Sequence, residues 1–156
     1  MAGPGIELEE SAHGTLIQGN IIGPTRAGDT VPTSATAGRL LAGILVESDG
    51  NVVGGSPDEP GAGNWIGLSL TGISLNGAFN RILGNQLGMS AEGLNQGNEV
   101  GIQVSGNDNQ IGDPQVGNVL VYNRWGIRVL DADHFTIQRN VIGYTPGLNE
   151  SARAAF

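Results

Sequence analysis

The sequence predicts an all-β fold, a parallel β-helix of about five three-strand coils, and three observations carry that prediction. A Gly-Ile-x-aliphatic run recurs five times, as GIEL, GILV, GISL, GIQV and GIRV starting at Gly5, Gly43, Gly72, Gly101 and Gly126. After each run come two shorter units, one centred on a single aliphatic residue and one of the form Asn-x-aliphatic. The composition agrees: 27 glycines and only 4% aromatic residues describe a core of small aliphatic side chains turned by many tight corners.

Internal repeats of 20 to 50 residues are the mark of solenoids, and the Gly-Ile starts lie 38, 29, 29 and 25 residues apart. Alternation at period two places Ile6/Leu8, Ile44/Val46, Ile73/Leu75, Ile102/Val104 and Ile127/Val129 on one face of a first strand. The second unit reads TLIQG, NVVGG, NRILG, NQIGD and FTIQR, with Ile17, Val53, Ile82, Ile111 and Ile137 inward. The third reads NII, NWI, NQL, NVL and NVI, with Ile22, Ile66, Leu87, Leu120 and Ile142 inward. Three columns of aliphatic residues make a triangular prism, about 20 to 25 Å long at the usual strand spacing.

The corners are predicted from asparagine. Asn tolerates left-handed backbone geometry, and its amide can bond to the coil on either side. Asn51, Asn80 and Asn109 precede second strands, and Asn20, Asn64, Asn85, Asn118 and Asn140 precede third strands. His13 and His134 stand eight residues after Gly5 and Gly126, the offset of the first Asn set, so they are expected to replace Asn in the outermost coils.

The excursions alternate. In the coils starting at Gly5, Gly72 and Gly126 the long connection follows the third strand, and in those starting at Gly43 and Gly101 it lies between the second and third. The true repeat is a two-coil unit. The chain is expected to form one domain over residues 1–156, with a long loop at 24–42 and a C-terminal cap at 143–156.

The alternating GIxV, NxIGG, GAGNxI, then GIxL, NxILGN pattern resembles the right-handed parallel β-helix repeat proteins of the pectin-lyase-like class. That resemblance covers essentially the whole chain. It implies a right-handed helix and an extracellular or cell-surface setting. It is specific for fold and not for activity, since the class includes polysaccharide lyases, glycoside hydrolases, epimerases, adhesins and inert spacers.

Charge and cysteine content narrow the possibilities further. The net charge is -8, from 15 acidic and 7 basic residues, and every basic residue is Arg. An acidic body repels phosphate, which excludes nucleic acid as the expected partner. The chain has no Cys, hence neither disulfides nor thiolate chemistry. No apolar run reaches the roughly 18 residues that span a bilayer, so membrane insertion is not expected, and the start MAGPGIELEE lacks the charged and apolar regions of a signal peptide.

Enzymes of the resembling class work with Asp, Glu and Arg on the outer faces of stacked strands. Glu9 and Glu47 share a column on neighbouring coils, with Asp49 two positions on, which is how like charges make an acid/base pair or a weak Ca²⁺ site. Arg128 with Asp131 and Asp133 is the closest approach to a lyase-type Arg beside cation-binding acids. In each case solvated surface charge is the simpler account. No Walker loop, zinc spacing or nucleophilic Ser motif is present.

Outward faces discriminate better. The first-strand column Glu7, Leu45, Ser74, Gln103, Arg128 is largely polar, whereas the third-strand column Ile21, Trp65, Gln86, Val119, Val141 is apolar at four of five places. Contiguous apolar surface marks a contact. The cover is expected to be the 24–42 loop or another subunit, with Trp65, and Trp125 near it, as the alternative of a sugar-stacking platform. A solenoid end also exposes unpaired strand edges. The sequence therefore leads to a non-catalytic spacer, adhesion or assembly module, self-associating as a trimer or by end-to-end stacking, or part of a longer parent chain. The alternatives are a fragment of a carbohydrate-active enzyme and a glycan-binding module.

Overall fold

Strands of two to seven residues are too short to stand alone, so their stability comes from stacking. The computed structural model describes residues 2–23, 38–56 and 58–143. Among them are 15 strands and no helix. The first strands of the coils are β1 (Ile6–Leu8), β4 (Leu40–Val46), β7 (Ser69–Leu75), β10 (Val100–Val104) and β13 (Trp125–Val129). Second strands are β2 (Leu16–Ile17), β5 (Val52–Gly54), β8 (Arg81–Leu83), β11 (Gln110–Ile111) and β14 (Thr136–Ile137). Third strands are β3 (Ile21–Ile22), β6 (Trp65–Ile66), β9 (Gln86–Leu87), β12 (Val119–Leu120) and β15 (Val141–Ile142).

Each set forms one five-stranded sheet in coil order, and every pairing is parallel. This is a parallel β-helix of five coils. The registers are those the repeat predicts: Ile6, Ile44, Ile73, Ile102 and Ile127 stand opposite one another, as do Ile17 through Ile137 and Ile22 through Ile142. In the middle coils these columns are fully buried, from Ile44, Val53 and Ile66 to Ile102 and Ile111. Each such side chain contributes about 1.5–3 kcal/mol of transfer free energy.

The glycine of the Gly-Ile motif has a steric cause. A Cβ at Gly43 would clash with Ile66 Cγ2, and one at Gly126 with Ile142 Cγ2. The first strand passes directly over the third-column aliphatic of its own coil, and only a residue without a side chain fits there.

Most corners place a left-handed residue before a ladder residue; Gly63 and Gly117, which end excursions before Asn64 and Asn118, do not have left-handed geometry. Before third strands, Gly19, Gly84 and Arg139 have φ of 69°, 67° and 57° and are followed by Asn20, Asn85 and Asn140. Before second strands, Gly50, Phe79 and Asp108, with φ of 71°, 57° and 56°, precede Asn51, Asn80 and Asn109. The two histidines do not take Asn places. His134 sits in the left-handed column itself, with φ 55°, and Phe135 follows it. In the first coil Thr15 takes the ladder place, its N–H donating to Asn51 Oδ1 at 2.9 Å, and His13 lies two residues earlier on the surface. Corner length is the reason: Gly5 precedes Ile17 by 12 residues and Gly126 precedes Ile137 by 11, against 10 in each coil between. Equal offsets from the glycine therefore do not mean equal places.

The alternation of excursions is visible in the backbone. After third strands, the second and fourth coils continue through Leu68 and Tyr122 in left-handed geometry, φ 53° and 60°, straight into the next first strand. The expected 24–42 loop ends earlier than predicted, because β4 begins at Leu40. The remainder of that loop, 24–37, and the expected cap beyond Gly143 lie outside the described residues.

Candidate functional site

The polar residues that repeat most regularly are all engaged between coils. Asn20 N–H donates to Asn64 Oδ1 at 3.0 Å, Asn64 to Asn85 at 3.1 Å, Asn85 to Asn118 at 3.0 Å and Asn118 to Asn140 at 2.9 Å. Side-chain amides repeat the pattern and also reach backbone carbonyls: Asn64 Nδ2 to Ile17 O at 2.9 Å, Asn118 Nδ2 to Ile82 O at 2.8 Å. A second ladder runs from Thr15 through Asn51 and Asn80 to Asn109. Asn51, Asn64, Asn80, Asn85, Asn109 and Asn118 are buried.

A third ladder was not anticipated. Ser69 N–H donates to Asn98 Oδ1 and Asn98 N–H to Asn123 Oδ1, each at 3.0 Å, at the corner before first strands. Its signal was the Gly97-Asn98 pair, the same glycine–asparagine step found at the other corners, obscured because the excursions reach that corner at unequal lengths. All three edges of the prism are thus built alike.

The candidate acids form two separate groups. Glu9 follows Leu8 and Glu47 follows Val46, which are partners in the first sheet, so the two carboxylates stand on adjacent coils. Glu7, Glu10 and Ser11 rim the same open depression. Both Glu9 and Glu47 are exposed. Asp49 is used elsewhere, its Oδ1 accepting the Ala78 N–H at 2.7 Å and holding the turn of the next coil. Arg128, Asp131 and Asp133 are exposed on the last coil, and among the described residues no ion pair joins the Arg to either Asp. The backbone N–H of Asp133 donates to Asn107 Oδ1 at 2.8 Å. Among the described residues no group of three or more His, Cys, Asp or Glu is arranged to hold a metal ion.

The ion pairs that do form link neighbouring coils. Arg124 meets Glu99 at 2.6 Å, and Arg81 meets Asp113 at 3.2 Å. Partial burial alone would push the Asp113 carboxyl up. The N–H groups of Gln115 and Val116 and the Arg81 guanidinium outweigh that and hold it below the ordinary carboxylate range. Arg39 was not anticipated either. Its Nη1 donates to the carbonyls of Ser69 at 3.3 Å and Gly97 at 3.2 Å, clamping three successive coils at one edge of an open cleft that also presents Tyr122 and Arg124.

The third-strand column Ile21, Trp65, Gln86, Val119, Val141 is continuous in register and faces outward. Ile21 is exposed and the other four are half-buried. Trp65 and Gln86 line a shallow trough walled by Ser56, Glu59 and Pro60. Trp125 is not near Trp65: it opens β13 on the first sheet, three coils along.

No family model matches the chain, and neither does any curated protein or solved structure. The likeness to the pectin-lyase-like class rests on the repeat pattern, and the parallel β-helix on the sheet registers.

Proposed function

We propose that the chain is a non-catalytic β-helix module, a rigid spacer, adhesion or assembly unit of an extracellular or cell-surface protein, joined to copies of itself or to a longer parent chain. The observation that carries this reading is the disposition of its polar residues. The recurrent Asn side chains are committed to coil-to-coil ladders, while Glu9/Glu47 and Arg128/Asp131/Asp133 occupy opposite ends of the stack and enclose no common space. A polysaccharide-cleaving site needs an acid, a base and a charge stabiliser converging on one bond.

The test is a panel of neutral and acidic glycans incubated with and without Ca²⁺. No depolymerisation is expected. Cleavage that disappears in Glu47→Gln or Arg128→Ala would replace this reading with that of a carbohydrate-active enzyme. The trough at Trp65 and Gln86 favours a second reading, a glycan-binding module. A half-buried indole beside an amide and a carboxylate suits a neutral sugar ring, and indole fluorescence titrated with the same panel tests it, with Trp65→Ala as control.

A further inference from the structure

We propose that the coil-5 edge of this β-helix docks, in register, on the coil-1 edge of a second copy of the chain. This deepens the assembly reading above by naming the partner and the contact. Three independent features of the two edges support it.

The first is the direction of the ladders. Along the Asn20 to Asn140 ladder each backbone N–H donates to the Oδ1 of the next coil. Asn20 Oδ1 is thus left with no donor, and Asn140 N–H with no acceptor, among the described residues. This ladder ends in an acceptor on coil 1 and a donor on coil 5, so a head-to-tail contact continues it and a head-to-head contact does not.

The second is apolar. Ile137 is 40% exposed and Ile142 50%, although their column neighbours Ile111 and Leu120 are buried. The coil-1 edge that they would face is uneven: Ile17 and Ile22 are only 6% and 8% exposed, whereas Ile6 and Leu8 are half-buried, so the apolar contact centres on Ile127 and Val129 meeting Ile6 and Leu8. The stacked coil keeps the column chemistry of every interior coil.

The third is charge, and it makes the contact specific to this chain. Coil 5 carries Arg128 and coil 1 carries Glu7, both exposed. Arg128 and Glu7 belong to one outward column of the first sheet, with Leu45, Ser74 and Gln103 between them. One further coil in register places Arg128 beside Glu7 of the second copy. Glu99 and Arg124 already show the result of that placement, since they precede the paired residues Val100 and Trp125 and meet at 2.6 Å. Past the first strand Asp131 falls in register with Glu10, each two residues beyond the Val129 and Leu8 column, so the attraction is confined to the Arg128–Glu7 pair. A head-to-tail contact leaves a free edge at each end, so the assembly is open and grows linearly.

The experiment is sedimentation velocity and light scattering of the full chain over a wide concentration range. Wild type is expected to show a mass that rises continuously and falls with added salt. Arg128→Glu and Glu7→Arg, both at exposed outward positions, are each expected to weaken association about tenfold, and the combined Arg128→Glu/Glu7→Arg chain to recover it. Circular dichroism of each variant checks the fold. A monomer at every concentration overturns the proposal, as does dissociation by Val119→Asp with no effect of the charge reversals, which would locate the contact on the lateral third sheet. Either result leaves the glycan panel, and with it the non-catalytic reading, unaffected.

Discussion

Asn80 shows what one side chain does in this fold. Its Oδ1 accepts from both the backbone N–H and Nδ2 of Asn51, at 2.8 and 3.1 Å, while its own N–H and Nδ2 donate to Asn109 Oδ1 and Ser48 O. Removing the amide would strand buried groups on two coils, and an unsatisfied buried group costs about 1–3 kcal/mol. Asn80→Ala is therefore expected to lower stability by about 2–4 kcal/mol, read as a shift in the urea midpoint. Asn76→Ala, at an exposed position four residues earlier, is expected to stay within about 0.5 kcal/mol. The role of Asn80 is legible in the sequence because its offset from Gly72 is repeated by Asn51 and Asn109. The histidines share that offset and not that role, because a one- or two-residue difference in the corner moves a side chain out of the ladder while leaving the count from the glycine unchanged.

At the scale of the strand, register is everything, because a two-residue strand has one inward and one outward position. Ile82 points into the core and Arg81 out to Gln110 and Asp113. One Gly inserted between Asn80 and Arg81 exchanges those places or breaks the ladder, and is expected to cost more than about 3 kcal/mol in thermal or urea melts. The same insertion between Glu59 and Pro60, where residues 58–61 are exposed, is expected to cost under about 1 kcal/mol. No single strand here would be recognised from its own sequence. Two aliphatic-polar positions carry almost no signal, and only five aligned copies turn them into columns. By contrast, Arg39 is a lone residue with no counterpart in other coils, so the repeat gives no hint that it reaches Gly97, 58 residues away.

Across the whole molecule the stack is close to one-dimensional, each coil touching its neighbours and only the Arg39 clamp, among the described contacts, reaching one coil further. Interior coils have partners on both sides and fully buried columns, whereas Ile137 and Ile142 of the last coil are open on one. Amide hydrogen exchange at concentrations too low for association is expected to be slowest in β7–β9 and fastest in β13–β15, by free energies that grow with the number of covering coils. Uniform protection from end to end would contradict nearest-neighbour stacking. The sequence by itself determined the coil number, the inward columns, two of the three ladders and the alternation of excursions, since each is a local pattern of alternation and turn chemistry repeated along the chain. Only the tertiary structure decided which polar groups meet: the third ladder, the Arg39 clamp and the Glu99–Arg124 pair. Those meetings join residues 25 to 58 apart, and they depend on how corners of unequal length superimpose the coils, a property of the stacked whole that no stretch of sequence contains.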